Sequence, residues 1–233
     1  MSDVTRFDWP DAPTLRAQLA ARIAGRLAQW IDKNGSAWLA VSGGRTPIGL
    51  FEALSAMDLD WGKVTITLVD ERWVDENSPR SNAALVRTHL LKGRARAACF
   101  VPLFTPGMPI ETGRDLAEVR LADLPSVLAV AILGMGDDGH TASWFPGGEQ
   151  LSEALDPTQD RVVAIVRAAA ADEPRLTLTR PALMRAGWIA LHIEGEAKRI
   201  VLDFALGDGP VEEMPVRAVL RSGETPLEIH WAP

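Results

Sequence analysis

A single cysteine, Cys99, leaves the chain no internal disulfide, and that scarcity points to a reducing compartment. Its neighbours Ala97, Ala98, Phe100 and Val101 are apolar, which predicts a packed thiol and not a nucleophile. Basic runs are missing as well. The 24 Lys and Arg are outnumbered by 31 Asp and Glu, for a net charge of −7, so the phosphate neutralisation on which nucleic-acid binding rests has no footprint. The longest apolar run, residues 127–133, falls far short of the ~20 residues that span a bilayer. Residues 1–8 carry neither the basic start nor the apolar stretch of a signal peptide. Together these absences predict a cytoplasmic protein with no nucleic-acid or membrane partner. An acidic protein of this kind still binds a small anion if it gathers a few cations in one cleft.

What is present suits a packed domain, since 233 residues with 47% hydrophobic content can fill a proper core. Leu15, Leu19, Ile23, Leu27 and Trp30/Ile31 recur at three- and four-residue steps, which predicts a helix over 13–31 with Arg16, Arg22 and Arg26 around its buried stripe. Asn34-Gly35 stops it. Short apolar runs at 37–41, 64–69, 98–101, 127–133, 162–166, 188–193 and 227–231 predict strands. Helical patterns lie between most of them, at 47–56, 80–91, 112–124, 181–186 and 196–205. Several strands are apolar throughout, as expected when helices cover both faces. The expected class is α/β, one domain over 1–233 with a mostly parallel central sheet flanked by helices. Segments 102–109 and 207–215 are loop-like but neither long nor polar enough for a linker, and there is no internal repeat.

In such sheets ligands sit beyond the carboxyl ends of the strands. The run 37–41 leads into Ser42-Gly43-Gly44-Arg45-Thr46-Pro47, where glycines permit close backbone approach, Thr46 is placed to cap a helix and Pro47 suits its first turn. Outward amides at that helix start form an anion site, or else the segment is only a tight turn before a well-capped helix; it matches neither a Walker loop nor G-x-G-x-x-G. Asp70-Glu71-Arg72-Trp73 ends the next strand. Alone it reads as a surface ion cluster, but beside the glycine loop Asp70 and Arg72 become candidates for substrate contact. Gly134, Gly136 and Gly139 formally satisfy G-x-G-x-x-G, yet Pro146-Gly147-Gly148 leave little room for the long helix of a dinucleotide site. The loop instead presents His140, with Asp138 placed to orient its imidazole. A histidine, with a reference pKa near 6.5, is largely neutral at pH 7 and able to take a proton. His89, His192 and His230, on a helix and within strands, read as structural.

With Ser81-Asn82, Phe145-Pro146-Gly147, Pro174-Arg175-Leu176-Thr177 and Gly195-Glu196-Ala197-Lys198 added in this order, the chain resembles the 6-phosphogluconolactonases over most of its length. These belong to a wider superfamily that includes glucosamine-6-phosphate deaminases. The family pattern often has proline where this chain has Asp75 and an aliphatic residue at Trp144. The resemblance implies a modified Rossmann-like, ribose-5-phosphate-isomerase-like fold. It also implies cofactor-free and metal-free hydrolysis of the 1,5-lactone of 6-phosphogluconate, a small phosphorylated substrate, by a monomer or weak homo-oligomer. By the same resemblance Ser42, Gly43, Gly44, Arg45 and Thr46 hold the phosphate, with Arg175 and Lys198 adding charge. Arg72 faces the phosphate or sugar oxygens, and His140 is the base with Asp138 its orienter. Two alternatives stay open. A deaminase/isomerase would use Asp70 as base, but Phe145 stands where its relay glutamate belongs. A non-catalytic sugar-phosphate module on the same fold would lack a reason to keep His140 with Asp138.

Overall fold

The computed structural model describes residues 4–169 and 171–233. Its first half runs β1 (Val4–Asp8), α1 (Ala12–Asn34), β2 (Ala37–Val41), α2 (Pro47–Ser55), β3 (Val64–Leu68), β4 (Asp70–Arg72), α3 (Asn82–His89), β5 (Cys99–Val101), α4 (Ile110–Arg120) and α5 (Leu124–Val127). Its second half runs β6 (Leu128–Leu133), α6 (Leu151–Leu155), β7 (Val163–Val166), β8 (Arg175–Leu178), α7 (Arg180–Met184), β9 (Trp188–Glu194), α8 (Glu196–Leu206), α9 (Arg217–Leu220) and β10 (Leu227–Ala232).

The first helix shows how local signals set these elements. The Asp11 carboxylate accepts the Thr14 amide at 2.7 Å, and Gly35 ends the helix with φ 84°, a conformation that favours glycine. Leu15, Leu19, Ile23, Leu27 and Ile31 are buried, each contributing roughly 1.5–3 kcal/mol. The arginines around that stripe clamp the helix to strand ends. Arg16 grips Glu194 bidentately at 2.9 and 2.6 Å, while Arg22 and Arg26 reach Glu228 at 2.9 and 3.3 Å.

Seven strands form a wholly parallel sheet in the order β1-β10-β9-β6-β2-β3-β5. All residues of β6 and β10 are buried, as the unbroken apolar run of β6 announces, although β10 buries Glu228 and His230 as well. The expected α/β class with a mostly parallel central sheet flanked by helices is therefore correct. Four strands stand apart from the expectation. The apolar run 162–166 does not join the main sheet; as β7 it pairs antiparallel with β8, and β8 pairs antiparallel with β4. This small sheet escapes pattern reading because β4 and β8 are short and polar. The edge strand β1, Val-Thr-Arg-Phe-Asp, is mostly exposed and so carries no apolar run.

Two local expectations are corrected. Cys99 is exposed and not packed, because β5 is the outer strand of the sheet and Cys99 opens it. The helix expected over 80–91 starts only at Asn82, where the Ser81 hydroxyl accepts the Ala84 amide at 3.1 Å. Among the described residues no helix is long and apolar enough to cross a membrane.

His230 lies fully buried in β10, accepting from Trp9 Nε1 at 3.2 Å and facing Glu228 at 3.2 Å. Burial pushes its imidazole down to about 4, against the opposing pull of Glu228. A base whose native value lies below its ordinary 6.5 stays neutral in the fold while the unfolded chain takes up a proton, so stability falls as pH drops from 6.5 towards 4. Thermal unfolding followed across that window is expected to lose on the order of 3 kcal/mol. His230→Gln, which keeps an acceptor for Trp9, should flatten the slope; an unchanged slope would assign the acid sensitivity elsewhere.

Candidate active site

The strand order reverses direction between β2 and β6, which is where an open α/β sheet leaves a crevice at its carboxyl edge. Ser42 closes that seam. Its amide and hydroxyl both donate to the Ile132 carbonyl, at 3.0 and 2.9 Å, and the hydroxyl accepts the Gly134 amide at 3.3 Å. Its hydroxyl is thus committed to joining two loops. Gly44 has φ 91°, and a Cβ on Gly43 would lie 1.9 Å from Asn82 Oδ1, so the turn needs glycine at both positions. Thr46 does not cap α2 as expected. Its φ of −54° and ψ of −46° are already helical, and from that geometry its hydroxyl makes no capping hydrogen bond.

The small sheet delivers the cations. In the β4–β8 register Arg72 stands directly opposite Arg175. Like charges so placed repel unless an anion lies with them. Arg72 Nη1 donates to the Arg80 carbonyl, but the buried Nε atoms of Arg72 and Arg175 have no partner among the described residues. Arg175 has Asp70 at 4.0 Å and Glu173 at 3.9 Å, and its guanidinium lies 5.6 Å from the Phe145 ring centre. Burial pulls its pKa below the ordinary arginine value; Arg72 and Arg80 add to this while Asp70 and Glu173 oppose it. Asp70 itself accepts from Ser143 Oγ at 2.6 Å.

Glu71, the carboxylate between them, faces the interior. It accepts the amides of Arg72, Asn82 and Ala83, each at 2.8 Å, and the Ser81 hydroxyl at 3.1 Å. Burial pushes it up to about 7 against those hydrogen bonds. It fixes the start of α3, from which Asn82 Nδ2 donates to the Asp70 carbonyl at 2.9 Å and Oδ1 backs the glycine loop.

After β6 the chain makes tight turns and no long helix, which agrees with setting aside a dinucleotide site. The Gly136 amide donates to the His140 carbonyl at 2.8 Å. Asp138 Oδ1 accepts the His140 amide at 3.0 Å and stands 2.6 Å from His140 Nδ1. Burial raises the Asp138 carboxyl, but the contacts with His140 outweigh it and leave the pKa below the ordinary value. A Cβ on Gly136 would come within 2.1 Å of the imidazole, so the dyad exists only against glycine. Ala142 adopts φ 51° in the next turn, the one non-glycine residue among those described with positive φ. The Phe145 ring centre lies 4.5 Å from that of His140.

These loops enclose one cleft lined by Ser42, Gly43, Gly44, Arg45, Thr46, Asp70, Arg72, His140, Arg175 and Lys198; Asp138 stands behind His140. Lys198, on the first turn of α8, pairs with Asp137 at 2.7 Å. Of the eleven candidate site residues read from the sequence, ten therefore line this cleft and Asp138 stands behind it. Pattern reading missed Glu194 and placed His192 as structural. Both line the cleft, 2.9 Å apart, at the end of β9, and the only signal was a charged residue closing an otherwise apolar strand. Among the described residues no group of three or more His, Cys, Asp or Glu is placed to hold a metal ion.

The family profile described as glucosamine-6-phosphate isomerases/6-phosphogluconolactonase matches residues 10–231. The chain is 51% identical over 230 residues to a 6-phosphogluconolactonase of Mesorhizobium japonicum, covering 97% of this chain and 96% of that one. It is 45% identical over 225 residues to a 6-phosphogluconolactonase of Pseudomonas aeruginosa, covering 97% and 93%. The crystal structure of a 6-phosphogluconolactonase from Shewanella baltica superposes with a TM-score of 0.95 at 40% identity, over 99% of this chain and 98% of that one. A monomeric glucosamine-6-phosphate deaminase shares the fold at 18% identity with a TM-score of 0.78. With the profile running through the glycine loop, the small sheet and the His140 turn alike, the chain belongs to the glucosamine-6-phosphate isomerase/6-phosphogluconolactonase family.

Proposed function

We propose that this cleft hydrolyses 6-phospho-D-glucono-1,5-lactone to 6-phospho-D-gluconate, the second step of the oxidative pentose phosphate pathway. The observation that carries the reading is the 2.6 Å contact of His140 Nδ1 with Asp138, in a cleft whose wall also holds Arg45, Arg72, Arg175 and Lys198. Relatives named 6-phosphogluconolactonase support the choice of substrate.

Asp138 accepts from Nδ1 and leaves Nε2 of His140 as the lone-pair nitrogen. That nitrogen takes a proton from water as the oxygen attacks C1 of the lactone. The tetrahedral intermediate then collapses by breaking the bond from C1 to the ring oxygen, which receives the proton from the imidazolium. The product acid ionises. Arg72, or a backbone amide, stabilises the developing oxyanion, a contribution of about 2.7–4 kcal/mol per donor in comparable sites. The glycine loop 42–46, Arg175 and Lys198 hold the phosphate, and this anchoring places C1 for attack. The tilted Phe145 ring beside His140 offers no carboxylate for the ring opening that a deaminase requires.

His140→Ala should lower kcat by roughly 10²–10⁴ with little change in KM. Lactone generated in situ from glucose 6-phosphate, followed by proton release or coupled oxidation of 6-phosphogluconate, measures this above spontaneous opening. Wild type that adds nothing to the spontaneous rate refutes the lactonase reading; an undiminished variant refutes only the assigned base. Ammonia released from glucosamine 6-phosphate would favour the deaminase.

Gly43→Ala tests the anchor separately. Its methyl must displace the Asn82 side chain from a buried position. A rise in KM of roughly tenfold to a hundredfold is expected, larger than the change in kcat. An unaltered KM would place the phosphate away from this loop.

A further inference from the structure

Glu194 closes β9 at the carboxyl edge of the sheet, with its side chain 15% exposed in the cleft wall. Three donors hold it. Arg16 Nε and His192 Nε2 meet Oε1, both at 2.9 Å, and Arg16 Nη2 meets Oε2 at 2.6 Å. A carboxylate offers about four lone-pair positions, so Oε2 keeps one that no donor among the described residues fills. Burial opposes its charge, but His192 and Arg16 hold the group at about 2, which makes it purely an acceptor at any working pH.

The cleft wall contains two carboxylates, Asp70 and Glu194, and Asp70 Oδ2 is already engaged by Ser143. The cations suit a phosphate and a developing oxyanion. They do nothing for hydroxyl hydrogens, which need acceptors once they leave water. The lactone ring presents such hydroxyls at C2, C3 and C4.

We infer that Glu194 is a specificity-determining residue that accepts a hydrogen bond from a ring hydroxyl of the substrate, with Arg16 and His192 as positioning residues behind it. The inference rests on the lactonase reading and adds to it. A carboxylate pinned at both oxygens aims its remaining lone pair in one direction, so it selects for one hydroxyl by position and rejects rings that lack it. His192 and Arg16 act through Glu194, Arg16 from α1 and His192 from within the same strand.

The test compares the parent lactone with 6-phosphogluconolactones lacking the hydroxyl at C2, C3 or C4, prepared by chemical oxidation of the deoxyhexose 6-phosphates. For wild type, one deoxy analogue should show kcat/KM reduced roughly tenfold to a hundredfold, as for a hydrogen bond to a charged group. Glu194→Gln should bring the parent down by a similar factor, mainly through KM, and that same analogue should then lose nothing further. Glu194→Asp keeps the charge but draws the carboxylate back by one methylene, and the same pattern is expected if Glu194→Gln does not fold. A loss spread evenly over parent and all analogues, or a parent loss below about twofold, overturns the inference while the lactonase reading stands. Wild type that fails to accelerate opening of the parent removes both.

Discussion

Parallel pairing of β2 with β6 is the constraint around which the remainder of the molecule is arranged. From that seam the strand order runs outward both ways, to β3 and β5 on one side and to β9, β10 and β1 on the other, so the loops at the carboxyl edge diverge. Ser42 holds the divergence to a fixed width by sharing the Ile132 carbonyl and the Gly134 amide between the two loops. The glycine turn after β2 and the turn that carries His140 are in this way two outgrowths of one hydrogen-bonded unit. Neither can shift without breaking buried backbone pairing, which is how a reaction that depends on placement is kept in register.

The small antiparallel sheet supplies what the main sheet cannot. The central strand β6 is apolar on both faces, whereas β4 and β8 place Arg72 and Arg175 opposite each other at the cleft. Their unmet Nε donors and the sparse carboxylate company leave desolvation uncompensated within the protein. Glu71 takes no part in that compensation. It is turned inward onto α3, where it satisfies amides that would otherwise lack acceptors. One residue of the Asp-Glu-Arg triplet thus serves the fold, and its neighbours serve the cleft.

Much of this was legible in the sequence because the relevant signals are local. Asn34-Gly35 marks the end of α1, Gly43 and Gly44 mark a turn where backbone can approach closely, and Gly134, Gly136 and Gly139 mark the loop that presents His140. The contiguous apolar run of β6 declares a doubly covered sheet. Other parts were hidden for equally physical reasons. Thr46 has the right identity for a cap but the wrong dihedrals, which composition does not reveal. Cys99 has apolar neighbours yet opens an outer strand, and strand order is a property of the whole chain. Glu194 is held by Arg16, far away in sequence, and a contact of that range leaves no periodic trace.

Lys198 is already engaged by Asp137, whose side chain is 85% exposed at 2.7 Å. Any anion that engages Lys198 must therefore displace a carboxylate that stands in solvent, where salt screens the pair. The occupancy of that ammonium by its own neighbour consequently depends on ionic strength, in a way that total charge alone does not convey.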